Sequence, residues 1–266
     1  RNDNVTLLLM KICILIVVLT GIADVCRGQT CCTGGVPYLG SFKISNISAS
    51  EFAADLSYIF NNNSDLFLND QNIQNNDFRR IVNTIILQGS YGLTDKLSIS
   101  IILPYLWQVE TIELDTNLYK LSNDGIGDIS VWTSYQHKFH SGDLFIGAAV
   151  KIPNGKTNAN DPESGIELPL TFQNGSGSWD FIFQIFSEMH LNRTKSLSWI
   201  NSVVAKVNTA GNGFDVHPGY RFGHSLQLNS LISANVVLGK YLANIFAGGN
   251  YQKRLKDKFN GGFDNE

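Results

Sequence analysis

Beyond its first twenty residues, the sequence contains no apolar run long enough to form a membrane-spanning helix. Such a helix needs about 20 consecutive apolar residues. Lipid offers the backbone no hydrogen-bonding partners, so the other structure that can span a bilayer is a closed set of β-strands. Any membrane role of this chain would therefore be carried by strands.

The one marked apolar run lies near the N-terminus, at 12–19, and follows Lys11. It is shorter than a membrane anchor, the alternative interpretation, would require, and small residues follow it as in a secretory signal peptide. We expect cleavage before Gln29, or alternatively before Asp24. Residues 1–28 are thus predicted to be a signal peptide, and 29–49 an N-terminal periplasmic segment.

An excess of positive charge is also missing, because the formal net charge is −3. Proteins that bind nucleic acid usually carry a basic surface, so a nucleic-acid partner is not expected. The chain has only 6 prolines against 24 glycines, which favours many turns and loops.

Cysteine is absent after residue 32. Cys13 and Cys26 would leave with the signal peptide, and the residues before Cys26 are a poor signal for lipid attachment. Cys31 and Cys32 are adjacent, and a bridge between neighbours is strained. The pair is interpreted either as linking two chains in an oxidising periplasm or as part of a tail without chemistry.

What the sequence does have is alternation between apolar and polar residues. After the polar turn at Thr94 and Asp95, four apolar residues at 97, 99, 101 and 103 alternate with Ser98 and Ser100. This period of two predicts a strand with one apolar face. A soluble sandwich and a membrane barrel both contain such strands.

Similar units recur along most of the chain. We predict strands near 50–60, 78–92, 96–107, 125–139, 143–153, 165–172 and 179–191, with further strand material at 196–207, 220–237 and 241–254. Long polar connections at 61–77, 108–124 and 154–164 alternate with short turns, the last of them at 174–177.

That asymmetry is typical of outer-membrane barrels, which have short periplasmic turns and long extracellular loops. The predicted fold is therefore all-β, an antiparallel up-and-down transmembrane barrel over 50–266 with about ten to twelve strands. A further strand is expected beyond the C-terminus.

Three short stretches resemble the meta-pathway phenol-degradation family of outer-membrane transporters. They are Tyr-Gly-Leu-Thr-Asp-Lys at 91–96 leading to Leu-Pro-Tyr at 103–105, Gly-Ile-Gly-Asp at 125–128, and Lys-Ile-Pro-Asn-Gly at 151–155. The resemblance implies an outer-membrane barrel that moves small, often hydrophobic or aromatic, molecules without covalent chemistry.

Charged and polar residues fall opposite the apolar rows of the predicted strands. A lysine turned toward lipid at mid-depth would cost about 2–4 kcal/mol, so these residues are expected to face the lumen. The lumen-facing candidates are Asp128, Lys151, Asp180, Gln184 and Glu188. They either select a solute or form ion pairs across a filled barrel.

Other chemistry finds weaker support in the sequence. Ser134 and His137 differ by three positions and so face opposite sides of one strand, which argues against a barrel lipid hydrolase. His217, His224 and the acidic stretch 161–163 lack the spacing of a metal site. No catalytic, metal or cofactor site is predicted.

Three functions are therefore weighed. The leading hypothesis is a channel or transporter-like barrel in the cell outer membrane, with outer-membrane lipid and a small-molecule solute as its partners. The alternatives are a structural or surface-interaction barrel with a plugged lumen and, with less support, a barrel lipid hydrolase.

Overall fold

A computed structural model describes residues 47–63, 66–68, 71–73, 78–114, 117–162, 165–211, 219–238, 241–259 and 262–263. The predicted signal peptide, nearly all of the predicted periplasmic segment, the four cysteines and His217 lie outside these residues. Within them, no helix is long and apolar enough to cross a membrane.

The described chain is built almost entirely from antiparallel strands. These are β1 (Phe52–Asn63), β2 (Leu66–Leu68), β3 (Gln71–Ile73), β4 (Phe78–Gly92), β5 (Leu97–Leu114), β6 (Asn117–Ile126), β7 (Ile129–Phe139), β8 (Gly142–Ile152), β9 (Asp180–His190), β10 (Leu197–Asn208), β11 (Ser225–Leu238), β12 (Tyr241–Arg254), β13 (Lys258–Phe259) and β14 (Gly262–Phe263). The helical element among the described residues is a single 3-10 turn, Leu170–Phe172.

Ten strands form one curled sheet in which each strand pairs with the next strand of the sheet along the chain, except that β5 pairs with both β6 and β7. Its order is β1-β4-β5-β7-β8-β9-β10-β11-β12, and β6 pairs with the C-terminal half of β5. All these pairings are antiparallel. The prediction of an all-β, antiparallel up-and-down fold with about ten to twelve strands is confirmed.

The two faces of this sheet are inverted relative to a water-soluble protein. Apolar side chains on one face are exposed, including Ile146 at 50% and Ile185 at 52%, whereas Ser130, Gln184 and Ser202 on the other face are buried. The alternation in the sequence produces this division, because successive side chains of a strand point to opposite faces. We call the exposed face the outer face and the buried one the inner face.

The connections differ in length at the two ends of the sheet. One end has the short turns 93–96, 140–141 and 191–196, and the other has the long connections 153–179 and 209–224. The alternation of long and short connections therefore continues through β11, beyond the point where the sequence pattern became unclear.

Three predicted elements are wrong. Residues 165–172 do not form a sheet strand and 174–177 is not a hairpin turn, since β9 pairs with β8 and β10. Pro169, which has no backbone N–H, interrupts the alternation there. Residues 108–124 are not a loop: they form the end of β5 and most of β6, paired with each other as a hairpin.

The inner face carries an apolar layer between polar rows. Its members come from six adjacent strands, and none is more than 5% exposed: Ile86, Ile102, Trp132, Ala149, Ile182 and Val204. Ile59 of β1 packs against them. We call this layer the inner apolar belt.

The belt gives a prediction that distinguishes the two faces within one strand. Ile182 is fully buried in the belt, whereas Ile185 is 52% exposed on the outer face. We expect Ile182→Ala to lower the free energy of unfolding by about 2–5 kcal/mol through lost packing. Ile185→Ala, the matched control, should cost clearly less. Urea unfolding of the refolded protein in micelles measures both, and equal losses would contradict this assignment of the belt.

Candidate functional site

The five predicted lumen-facing residues all lie at inner-face positions. Asp128, Lys151, Asp180 and Gln184 are buried, and Glu188 is half-buried on the same face of β9. The structure brings the first three together. Gln184 instead donates to Ser202 Oγ (3.3 Å), and Glu188 lies toward the end with short turns.

Lys151 lies at the centre of a buried ion cluster. Its Nζ is 2.9 Å from Asp128 Oδ2 and 2.5 Å from Asp180 Oδ2, and it also donates to Ser176 Oγ. The side chains of Lys151, Asp128 and Asp180 are completely buried. Lys206 completes the cluster, with its Nζ 3.5 Å from Asp180 Oδ2.

Lys206 was missed by the sequence prediction. It lies on β10, beyond Leu191, where the strand register could not be read from the sequence. The available signal was its alternation with Val203, Ala205 and Val207, which places Lys206 on the face opposite those residues.

Asp128 reaches the cluster because it lies in the gap between β6 and β7, the two strands that pair with successive parts of β5. At the break, the Gly127 N–H donates to the carbonyl of Pro104 (2.9 Å). The Ile129 N–H donates to Asn154 Oδ1 (2.7 Å), and the Gly155 N–H donates to Asp128 Oδ1 (3.0 Å). The three short stretches that carry the family resemblance thus meet in one place.

The long connection 153–179, which we call the inner segment, folds over the inner face. Its Ser176 donates to Asp128 Oδ2 through both its N–H (2.9 Å) and its hydroxyl (2.7 Å). Its Ser178 hydroxyl donates to Asp180 Oδ1 (2.8 Å). The inner segment is therefore joined to the ion cluster beside the strands that precede and follow it.

The same segment is also bonded to the opposite strands of the sheet. Arg80 of β4 donates to the carbonyl of Thr171 (2.5 Å), and its guanidinium lies 4.9 Å from the centre of the Phe172 ring. Gln108 of β5 (2.6 Å) and Asn123 of β6 (2.7 Å) both donate to the carbonyl of Phe172. The segment thus crosses the interior from β8 and β9 to β4, β5 and β6.

Glycines permit the closest contact within the inner segment. A Cβ at Gly155 would lie 2.6 Å from the Gly175 Cα, and a Cβ at Gly175 would lie 2.2 Å from the Gly155 carbonyl oxygen. The Gly175 N–H donates to the carbonyl of Lys156 (2.9 Å). A side chain at either position would push the start and the end of the inner segment apart.

Buried charges are stable only when their polar atoms are paired. Lys151 has three acceptors for its three N–H groups, and each Asp carboxylate also accepts hydrogen bonds from neighbouring N–H or hydroxyl groups. In the described part of the chain, the buried polar atoms that lack a hydrogen-bond partner include the Asn174 amide, Gln184 Oε1, Asn208 Oδ1 and, within the cluster, Asp180 Oδ2. Asp180 Oδ2 is held instead by its ion pairs with Lys151 and Lys206, so the cluster is paired in charge although not every atom of it has a hydrogen bond.

The described residues offer little support for hydrolysis or metal binding. Ser134 is buried and His137 exposed, on opposite faces of β7. His190 Nδ1 lies 3.1 Å from Ser198 Oγ, but no acidic or amide side chain among the described residues bonds the other ring nitrogen. No group of three His, Cys, Asp or Glu side chains in the described ranges could hold a metal ion.

A curled antiparallel sheet with an apolar outer face and a charged interior defines the fold as that of a barrel-forming protein. The chain is similar to the crystal structure of an outer membrane channel from Pseudomonas putida F1, with a TM-score of 0.61 and 15% sequence identity. The match covers 86% of this chain and 80% of that chain. At this identity the likeness shows the fold alone.

The other two comparisons found nothing. No protein-family model matches the sequence. No curated protein sequence matches it either. The resemblance to the phenol-degradation family therefore stays a prediction.

The ion cluster leads to a prediction about stability. Lys151→Met would leave two buried carboxylates with only Lys206 as a cationic partner, so we expect a loss of about 3–5 kcal/mol in unfolding free energy. Adding Asp128→Asn removes one of those charges and should restore part of the loss. Urea unfolding of both variants measures the coupling, and additive losses in the double variant would argue against the ion pair.

Proposed function

We propose that this protein is an outer-membrane β-barrel that binds small solutes or lets them pass by passive diffusion. The observation that carries the proposal is the inverted sheet. Its outer face exposes apolar side chains along several strands, and its inner face buries lysine and aspartate. Outer-membrane barrels have this distribution because lipid surrounds them and a polar interior fills them.

The fold likeness supports the same proposal. The similar protein from Pseudomonas putida F1 is an outer membrane channel. We carry both that location and that activity over to this chain as part of the proposal. Its partners would be outer-membrane lipid and a small-molecule solute.

The kind of solute is proposed from the family resemblance, which implies small hydrophobic or aromatic molecules. The inner apolar belt does not add to this, because its side chains are at most 5% exposed and therefore pack against each other rather than line an open path.

The inner segment would set the width of the path. It crosses the interior and is bonded to strands on both sides, as a constriction in a pore would be. The same bonds also favour the second candidate, a structural barrel with a plugged lumen. The two functions differ in whether the interior conducts.

The membrane location can be tested with a charge on the outer face. Ile146 lies near the middle of β8 and is 50% exposed. Ile146→Lys should lower the stability of the vesicle-inserted protein by about 2–4 kcal/mol, because lysine at mid-depth contacts lipid. Ile146→Val is the control. Equal folded fractions of both variants in lipid vesicles across a urea series would refute a lipid-facing position.

The channel function can be tested by conductance across a planar bilayer. Refolded wild-type protein should conduct, and Gln108→Leu combined with Arg80→Met should conduct more, because the inner segment loses two of its bonds to β4 and β5. Gln136→Leu is the matched control, since Gln136 is buried on the inner face but bonds to Asp143. Absence of conductance in every variant would favour the plugged barrel.

A further inference from the structure

The chain reverses direction just before it enters β1, and the reversal is bonded to the turn between β4 and β5. We call residues 47–51 the entry turn. The Ser50 N–H donates to the carbonyl of Gly92 (2.8 Å), and the Ala49 N–H donates to Asp95 Oδ1 (3.2 Å). The entry turn therefore has a fixed position at the end of the sheet with short turns.

Two local features give the entry turn its shape. Ser50 has a φ of 65°, a conformation that residues other than glycine rarely adopt. Gly92 lies so close to the turn that a Cβ there would collide with the Ser48 carbonyl oxygen. Gly92 and Asp95 both belong to the stretch 91–96, which carries part of the family resemblance. That stretch thus receives the chain as it enters the sheet.

Ile47, the first residue of the entry turn, is buried inside the curl of the sheet. It is 7% exposed and lines a small cavity together with inner-face side chains of β5, β7 and β8, namely Ser98, Ser134, Gln136 and Phe145. The cavity measures about 10 Å³, enough for about one water molecule. An apolar side chain from the chain before β1 thus lies against strands with which β1 does not pair.

Aromatic rings add apolar surface at this end of the interior. Phe145 is buried, and its ring packs edge-on against that of Phe186 on β9, with 5.6 Å between the ring centres. We call this opening of the interior, at the end of the sheet with short turns, the short-turn mouth. Ile47 and the two rings gather there, apart from the inner apolar belt.

The bonds that hold Ile47 at the short-turn mouth are few and weak. The Ala49 bond to Asp95 is exposed, and so is the bond from the Ser48 N–H to Glu51 Oε2 (3.1 Å). Exposed hydrogen bonds contribute little net stability, because water replaces them. A segment with few buried contacts opens at low cost while the rest of a protein stays folded. Ile47 can therefore leave its cavity without unfolding the sheet.

We propose that Ile47 is a releasable stopper of the short-turn mouth and that the entry turn is its hinge. When Ile47 leaves its cavity, the inner face near Ser98 and Ser134 opens to solvent from that end. This inference rests on the proposed function, because it treats the interior as a path. It adds to that function a device that closes one end of the path.

Cysteine labelling tests the proposal. The full-length chain, with its native cysteines replaced by serine, carries one reporter: Ser134→Cys beside Ile47, or Ser202→Cys elsewhere on the inner face, both at positions that are 7% exposed. The protein is placed in lipid nanodiscs, and mass spectrometry follows labelling by a membrane-impermeant maleimide. Ile47→Ser should speed labelling at position 134 by about tenfold or more, since burial of an isoleucine side chain shifts an opening equilibrium by that factor. Labelling at position 202 should not change.

Ile47→Leu is the matched control, because it keeps an apolar side chain of the same size, and it should label as slowly as wild type. If Ile47→Ser does not refold, Ile47→Ala replaces it and should give a smaller rise. Unchanged labelling at position 134 in the folded variant would overturn the proposal. So would an equal rise at positions 134 and 202, which would mean that the whole interior had loosened.

The hinge supplies an independent variant. Gly92→Ala places a Cβ against the Ser48 carbonyl oxygen and should displace the entry turn, whereas a Cβ at Gly89 would lie 3.7 Å from the Phe52 ring, an ordinary contact. Gly92→Ala should therefore speed labelling at position 134, and Gly89→Ala should not. Slow labelling in a folded Gly92→Ala variant would contradict the assignment of the hinge and overturn the proposal.

The outcome can be separated from that of the proposed function, because labelling does not require conduction. Conductance of wild-type protein in the planar bilayer, together with labelling that is indifferent to Ile47, would overturn the stopper and leave the channel standing. Labelling that depends on Ile47, in a protein that never conducts, would support the stopper and refute the channel.

Discussion

The charge of Lys151, held between Asp128 and Asp180, is the interaction on which the interior depends. All three side chains are completely buried, so none of them can rely on water. The pairs join β8 to the break before β7 and to the start of β9. The hydrogen bonds from Ser176 and Ser178 then attach the inner segment to the same carboxylates.

The position of this cluster explains why the inner segment lies inside the curl of the sheet. A long, polar connection in solvent would gain little by folding inward, because burying its backbone costs hydrogen bonds to water. Here the carbonyls of Thr171 and Phe172 find donors on Arg80, Gln108 and Asn123. The apolar belt and the charged cluster are thus neighbours in one interior, where Ile182 of the belt is opposite Lys206 in the register of β9 and β10.

Local patterns were enough to predict most of the strands. Alternation is a property of neighbouring residues, so β4 and β8 begin and end within a residue of the predicted bounds, and the inner-face positions of Asp128, Lys151 and Asp180 followed from parity. The path of residues 153–179 could not be predicted, because it depends on contacts with Arg80 and Gln108, far away in the sequence. The polar residues of 108–124 suggested a loop, yet they pair as a hairpin that extends β5 and β6.

Gly155 and Gly175 have a consequence for the order of assembly. Their backbones touch so closely that neither position has room for a side chain, and the N–H groups of Gly155 and of Ser176, which follows Gly175, both donate to Asp128. If the sheet curled before this connection turned inward, the buried carboxylates of Asp128 and Asp180 would lack the donors that Ser176 and Ser178 supply. We therefore expect the connection and the strands around it to become ordered together, so that the wall of the protein and its interior form in the same step.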